Sequence, residues 1–174
     1  MTIDHFNIDE SAFNPPRMPR KKSFRIGRSR TGLGLFATEP IKKKAFIVEY
    51  KGRRLTTEQA DKLEARGSRY LYEINSRWTI DGSSRRNIAR YANHSCRPNA
   101  ESHRRNGQVI LRAIKAIKPG DEITYNYGRD YFKNVITPAG CKCPKCIAKR
   151  REARRARVRL AKRRAARATR AARQ

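Results

Sequence analysis

From Ser23 to about Tyr131 the chain is a succession of short apolar segments, each ended within a few residues by a turn signal. Nowhere in that span do apolar residues recur with a long helical period, and no internal repeat is present. The pattern is that of a β-rich domain built from many short strands. Ser23–Arg28 and Leu33–Ala37 read as strands, with Gly32 and Gly34 forcing a tight connection. Ala45–Gly52 is the most apolar strand candidate. A helix is predicted from about Thr57 to Arg66, because Thr56 and Gln59 fit a capping box and Gly67 fits the C-terminal cap. Tyr70–Ile74 and Trp78–Asp81 come next as short strands. Ser102–Arg105 and Gln108–Ile114 flank Asn106-Gly107, the strongest hairpin signal available. The turn Lys118-Pro119-Gly120-Asp121 delivers the last strand, Ile123–Gly128.

The two ends are different material. Residues 1–22 carry Pro15, Pro16 and Pro19 before a basic step, Arg20-Lys21-Lys22, and read as an extension or docking arm. In the segment Lys149–Gln174, thirteen Lys or Arg stand against one acid, Glu152, with eight alanines between them. Ala and Arg favour helix while like charges at i,i+4 repel, so the tail is expected to be disordered in isolation and helical on an acidic surface. The whole chain carries a formal charge of +28, so the body is basic too. Such an excess points to a polyanionic partner and says nothing about fold. A chain of 174 residues suits one globular domain. Apolar stretches such as Ala45–Val48 are far too short to span a bilayer, and the N-terminus lacks the pattern of a secretory signal. The expectation is a soluble intracellular protein with no membrane partner. Its four cysteines would then stay reduced, which disfavours disulfides and gives weight to a metal site.

Four separated segments carry the chemistry. They are Ser29–Phe36, with its G-L-G; Glu49-Tyr50-Lys51-Gly52; the polar run Asn87–Asn99, containing Asn93-His94-Ser95-Cys96; and Asp121–Gly128, containing Tyr125 and Tyr127 at strand spacing and so on one face. Each alone is weak, since glycines serve ordinary turns as often as they approach a ligand. In this order and spacing they resemble the SET-domain protein-lysine methyltransferases over roughly Ser23 to Cys146. NHSCRPN followed about thirty residues later by DEITYNYG is the specific part.

The resemblance implies a mainly β fold with short helices, in which small curved sheets enclose a C-terminal pseudoknot that brings the NHSC segment beside the TYNY strand. It implies S-adenosyl-L-methionine as cofactor. Gly32, Leu33 and Gly34 would let the backbone approach the cofactor's methionine portion, Asn93 and His94 would hydrogen-bond it, and Arg90 and Tyr91 would line the same pocket. Tyr70 matches the lysine-channel tyrosine and Tyr127 the tyrosine nearest the reaction centre. Tyr125, two residues before it, helps set how many methyl groups are added, and its hydroxyl implies mainly monomethylation. Asp81 and Gly82 match an acidic or small pair ahead of the NHS segment. Cys141, Cys143 and Cys146 match the family's post-SET segment, which takes its fourth zinc ligand from the NHSC cysteine, here Cys96. The spacing CxCxxC is shorter than the usual CxCx4C.

The divisions expected are an extension (1–22), the SET domain (23–134), a post-SET zinc segment (135–148) and a basic tail (149–174). The substrate implied is a histone-like or other chromatin- or nucleoid-associated protein, with DNA or another polyanion held by residues 149–174. The location would be the nucleus or chromosome in a eukaryote and the cytoplasm or nucleoid in a bacterium. Two other classes fit part of the sequence: a DNA-packaging protein whose tail is the whole function, and a SET fold that reads lysine without turnover. Tyr50, Trp78 and Tyr91 read as core aromatics, His5 and His103 as surface residues. Ser95 and Cys96 are rejected as nucleophiles, because the resemblance turns the adjacent His94 toward the cofactor.

Overall fold

The computed structural model describes residues 23–172. The expected N-terminal extension, with His5, lies outside the described residues. Among the described residues, ten short strands make three sheets. In the first, β1 (Phe24–Ser29) and β2 (Gly32–Ala37) form a hairpin, β10 (Glu122–Tyr125) pairs with β2, and β7 (Asn93–His94) lies parallel to β10. The second is β3 (Phe46–Tyr50), β9 (Gln108–Ala113) and β8 (Ala100–Arg105). The third is β4 (Arg53–Thr56), β6 (Trp78–Asp81) and β5 (Leu71–Glu73).

Local chemistry explains the boundaries. In α1 (Thr57–Ala65) the Thr56 hydroxyl accepts from the Gln59 N–H and the Gln59 side chain accepts from the Thr56 N–H, the reciprocal box expected. Asn106 and Gly107 both take positive φ, 49° and 71°, matching the right-handed twist of the β8–β9 hairpin they close. Val109, Leu111 and Ala113 alternate inward on β9 and meet Leu35 and Ile123 from the first sheet in one core. Each large side chain buried there stabilises the fold by about 1.5–3 kcal/mol. Trp78, expected in the core, is 42% exposed, because it opens β6 where the sheet meets solvent. The strand β4 was not legible in Arg53–Thr56: three of its four residues are exposed, so it shows no apolar face.

Two asparagines from the polar run lock the sheets together. Asn99 accepts from the Thr124 N–H at 2.8 Å and donates to the Glu122 carbonyl at 2.9 Å, and its own N–H donates to the Thr124 carbonyl. The Ser95 N–H donates to the Tyr125 carbonyl, so residues 93–99 run alongside β10 as the fold expectation requires. Asn87 does the same on the other side, accepting from the Lys51 N–H and donating to the Gly82 carbonyl. Both are buried, where an unpaired amide would cost about 1–3 kcal/mol.

After β10 the chain is helical: α2 (Arg129–Tyr131), a π turn (Phe132–Ile136) and α3 (Thr137–Ala139). None of this was visible in the sequence, because these turns lack a capping motif and a repeating apolar face. The last element departs from expectation most. The basic segment is part of one helix, α4 (Pro144–Ala171), 28 residues long, rather than a disordered tail. It crosses the expected division at 148/149. Repulsion between like charges costs only a few tenths of a kcal/mol per pair, and Ala, Arg, Lys and Leu are strong helix formers. Pro144 supplies the first-turn residue, and no Gly or second Pro interrupts the rest of the helix. The helix is exposed on all sides beyond Ile147 among its described residues, which is why no apolar period announced it. None of the helices described is long and apolar enough to cross a membrane.

Candidate active site

All seven tyrosines of the chain line one cleft of about 720 Å³. They come from β3 (Tyr50), the entry and middle of β5 (Tyr70, Tyr72), the 3-10 turn Ile88–Tyr91 (Tyr91), the end of β10 and the residues after it (Tyr125, Tyr127) and α2 (Tyr131). Tyr125 and Tyr127 have ring centroids 4.7 Å apart, and Tyr131 packs edge-on to Tyr127 at 5.1 Å. β10 ends at Tyr125, so packing rather than strand alternation keeps Tyr127 beside it.

Four hydroxyls are committed to the protein. Tyr127 donates to the Ala92 carbonyl (2.9 Å), Tyr50 to the Tyr70 carbonyl (2.9 Å), Tyr72 to Ser102 Oγ (2.7 Å) and Tyr131 to the Arg69 carbonyl (3.3 Å). The hydroxyls of Tyr70, Tyr91 and Tyr125 have no hydrogen-bond partner among the described residues, leaving them free for a ligand. Burial pushes the Tyr50, Tyr125, Tyr127 and Tyr131 hydroxyls above their ordinary pKa, so all four stay neutral. The cleft therefore offers aromatic faces and neutral hydroxyls. No Asp or Glu is among its lining residues, whereas Arg69, Arg85, Arg90 and Lys142 are.

At one end stand Leu33, Asn93 and His94. The Asn93 amide nitrogen donates to the Leu33 carbonyl at 3.0 Å and to Glu122 Oε1 at 2.7 Å, which ties β7 to β2 and β10. Gly32 and Gly34 are not on the lining. Gly34 is buried, and a Cβ there would lie 2.6 Å from Glu122 Oε1, so its smallness secures the carboxylate that holds Asn93. Gly82 has a similar role, since a Cβ there would overlap the Tyr50 hydroxyl. Arg90 stacks over the Tyr70 ring, its guanidinium carbon 3.9 Å from the centroid. Tyr50, expected in the core, is buried there and lines the cleft as well; Tyr91 is only half-buried.

His94 links the cleft to the cysteines. Its Nδ1 accepts from the Tyr127 N–H at 3.3 Å, so the proton of the neutral ring sits on Nε2, 3.4 Å from Cys96 Sγ. Burial lowers the His94 pKa, which keeps the ring neutral. The sulfurs of Cys96, Cys141, Cys143 and Cys146 lie within 4.8 Å of one another, with Cys96 at 3.9 Å from Cys141 and 3.6 Å from Cys146. Four thiolates at metal–sulfur distances of about 2.3 Å around a tetrahedral ion would be about 3.8 Å apart, so the cluster fits such an ion. Burial works against ionisation in the cluster, yet hydrogen bonds from its neighbours bring the Cys143 thiol down to about 6. The short CxCxxC spacing is accommodated because Cys146 sits on the first turn of α4, where the helix turns its sulfur back toward Cys96. Cys141, Lys142 and Cys143 also form part of the cleft wall.

Of the candidates read from the sequence, all but Gly32, Gly34, Asp81 and Gly82 lie on this cleft or in its thiol cluster. Sequence reasoning missed Tyr72, Tyr131 and Phe132, the last of which packs on the His94 ring at 5.2 Å. Tyr72 was detectable only as the alternate residue of a strand.

The tyrosine-walled cleft thus lies between small sheets and is bordered by a cluster of three C-terminal cysteines and Cys96. The SET domain profile matches residues 32–128, and the chain belongs to that family. It is 38% identical over 138 residues to histone-lysine N-methyltransferase set-2 of Caenorhabditis elegans, covering 71% of this chain and 9% of the relative. It is 35% identical over 141 residues to histone-lysine N-methyltransferase SETD1A of Homo sapiens, covering 73% of this chain and 8% of the relative. The chain thus spans about a tenth of the length of these curated relatives. Among solved structures it is similar to ctPRC2 in an autoinhibited conformation bound to S-adenosylmethionine, with a TM-score of 0.57 and 30% identity over 62% of this chain and 15% of that one. Among the described residues, small sheets, short helices in the body and the absence of a closed barrel agree with that likeness.

Proposed function

We propose that this chain transfers methyl groups from S-adenosylmethionine to a lysine side chain of a protein, with histones as the substrate class. The observation that carries the reading is the gathering of all seven tyrosines into one carboxylate-free cleft beside Asn93 and His94. The names of the relatives support the histone substrate, and a nuclear, chromosomal location accompanies it.

The cofactor supplies an electrophilic methyl on a positively charged sulfonium. The chain has to hold it, admit a lysine from the other side and exclude water. Leu33, Asn93 and His94 would hold the cofactor end, and the volume of about 720 Å³ is ample for a ligand of that size. Tyr70, Tyr125 and Tyr127 would wall the lysine channel, desolvating the ammonium and so favouring the neutral amine. Holding amine and methyl in line turns an encounter into an effectively unimolecular step. The test is intact-mass analysis of core histones incubated with the protein and S-adenosylmethionine, then of a lysate with labelled cofactor. A protein that labels no lysine in either would be a reader or a DNA-packaging protein instead, and cofactor binding would then separate those two.

The four-cysteine cluster is proposed to hold one zinc ion, pinning the lid that carries Cys141, Lys142 and Cys143 in the cleft wall. Elemental analysis of protein purified without chelator is expected to give one zinc per chain. Chelation should lower activity more than it lowers the melting temperature of the sheets, because the site joins the lid to the β7 loop. A metal-free preparation with full activity would rule the ion out.

Tyr125 supports mainly monomethylation. Its hydroxyl has no partner among the described residues and faces a crowded cleft, so it is available to hold a water or the amine, leaving little room for a methylated amine to rotate into line. Exhaustive reaction of a lysine peptide is expected to end mostly at one methyl, and Tyr125→Phe should shift the mass distribution toward two and three. Trimethyl product from the unaltered protein would show a wider channel.

A further inference from the structure

The cleft has no carboxylate, and its one imidazole, His94, has Nδ1 taken by the Tyr127 N–H and Nε2 turned to Cys96, yet the reaction proposed above needs a neutral lysine amine. Arg90 is the one lining cation whose guanidinium lies on a channel tyrosine. Its Cζ sits 3.9 Å from the centroid of the Tyr70 ring and 5.6 Å from that of Tyr91. Nη1 donates to the Ser83 carbonyl, Nε is buried with no hydrogen-bond partner, and no carboxylate pairs with the group among the described residues. The positive charge is therefore fixed in place and left unneutralised.

Negative charge reaches the cleft from Asp81, Glu122 and the cysteine cluster, whose Cys141 and Cys143 line the wall, but none of these groups pairs with the Arg90 guanidinium among the described residues. Tyr50 on β3, Tyr125 and Tyr127 beside β10, and Tyr131 on α2 are held neutral by burial. Arg69 before β5, Arg85 in the loop after β6 and Lys142 on the lid add positive charge. The carboxylate on β6, Asp81, accepts from the Ser83 N–H at 3.0 Å, and Glu122 on β10 is taken by Asn93. At the Tyr50 hydroxyl burial is the largest influence; Arg90 then lowers the pKa while Tyr131 and Asp81 raise it, so the Arg90 charge is felt inside the cleft.

We infer that Arg90, which the resemblance assigns to the cofactor pocket, instead sets the protonation of the substrate: its fixed charge behind Tyr70 drives the entering lysine ammonium to release its proton to solvent. This deepens, and rests on, the reading of the cleft as a lysine methyltransferase site. A lysine amine on the far face of the Tyr70 ring would lie about 8 Å from the guanidinium, a separation at which one unit charge shifts a pKa by about one unit in a partly hydrated cleft. A positive neighbour lowers the lysine pKa, so removing it raises that pKa and reduces the neutral fraction at any pH below it.

The experiment is the pH profile of kcat/KM for one lysine peptide, with cofactor affinity measured alongside by calorimetry. Arg90→Gln, which keeps a donor for the Ser83 carbonyl, is expected to move the acid limb up by about one unit. Activity would fall about tenfold at neutral pH and approach that of the unaltered protein at high pH. Arg90→Lys should restore most of the limb, and both variants should bind cofactor within about threefold of the original. If Arg90→Gln unfolds, comparison of Arg90→Lys and Arg90→Met, each checked by melting temperature, carries the same contrast. An unmoved acid limb in a folded neutral variant overturns the inference, as does weakened cofactor binding with no shift, which would return Arg90 to the cofactor. No methyl transfer by the unaltered protein at any pH would instead sink the lysine reading itself.

Discussion

Tyr127→Phe is expected to cut methyl transfer by about 10²- to 10³-fold while leaving cofactor affinity within about threefold. The hydroxyl is buried and its proton is committed to the Ala92 carbonyl, one residue before Asn93. Its oxygen lone pairs remain, so the group can accept a hydrogen bond from the amine and orient it. It cannot act as a base, because burial holds its pKa far above the physiological range. Loss of the hydroxyl removes that acceptor and leaves the Ala92 carbonyl without its donor, at a stability cost of about 1–3 kcal/mol. The Tyr127 N–H that holds His94 Nδ1 belongs to the backbone and survives the substitution, which is why the cofactor end should be spared. Single-turnover kinetics with saturating cofactor, alongside a thermal melt, separates the two effects. A fully active Tyr127→Phe protein would strip the residue of its role.

The second large effect concerns α4. At 1.5 Å per residue its 28 residues form a rod about 42 Å long, cationic on every face. Roughly half of the basic residues that α4 carries from Lys149 to Arg167 can face one duplex at a time. About six phosphate contacts give a slope near −5 in log affinity against log salt, or a loss of about 10³-fold between 50 and 200 mM salt. The binding should be independent of sequence. Ending the chain after Arg151 keeps Cys146 and the Arg150 hydrogen bond to the Cys141 carbonyl (2.7 Å), so the lid is preserved. That truncation is expected to remove most of the DNA affinity and keep methylation of a short peptide within about threefold. Unchanged DNA binding, read by titration at several salt concentrations, would move the contact to the basic body.

Features that depend on neighbours in the chain were legible beforehand. The Thr56/Gln59 box, the Asn106-Gly107 hairpin and the Lys118–Asp121 turn need only residues within four positions of one another. The opposite case is α4, where two local terms of opposite sign, propensity and charge repulsion, left the outcome open until the structure decided it as helix.

What the sequence determined by itself was the inventory: the glycines, the NHSC run, the paired tyrosines, four cysteines and a surplus of positive charge. What only the tertiary structure decided was who meets whom. Cys96 reaches Cys146 across fifty residues, and tyrosines from position 50 to position 131 converge on one cleft. Gly34 became the neighbour of Glu122, and Arg90 came to rest on Tyr70 rather than merely near the NHS segment. The reason is physical. Caps and turns are fixed by short-range sterics and hydrogen bonds, whereas a cleft is fixed by which sheet faces bury one another, and that depends on contacts that chain spacing does not encode.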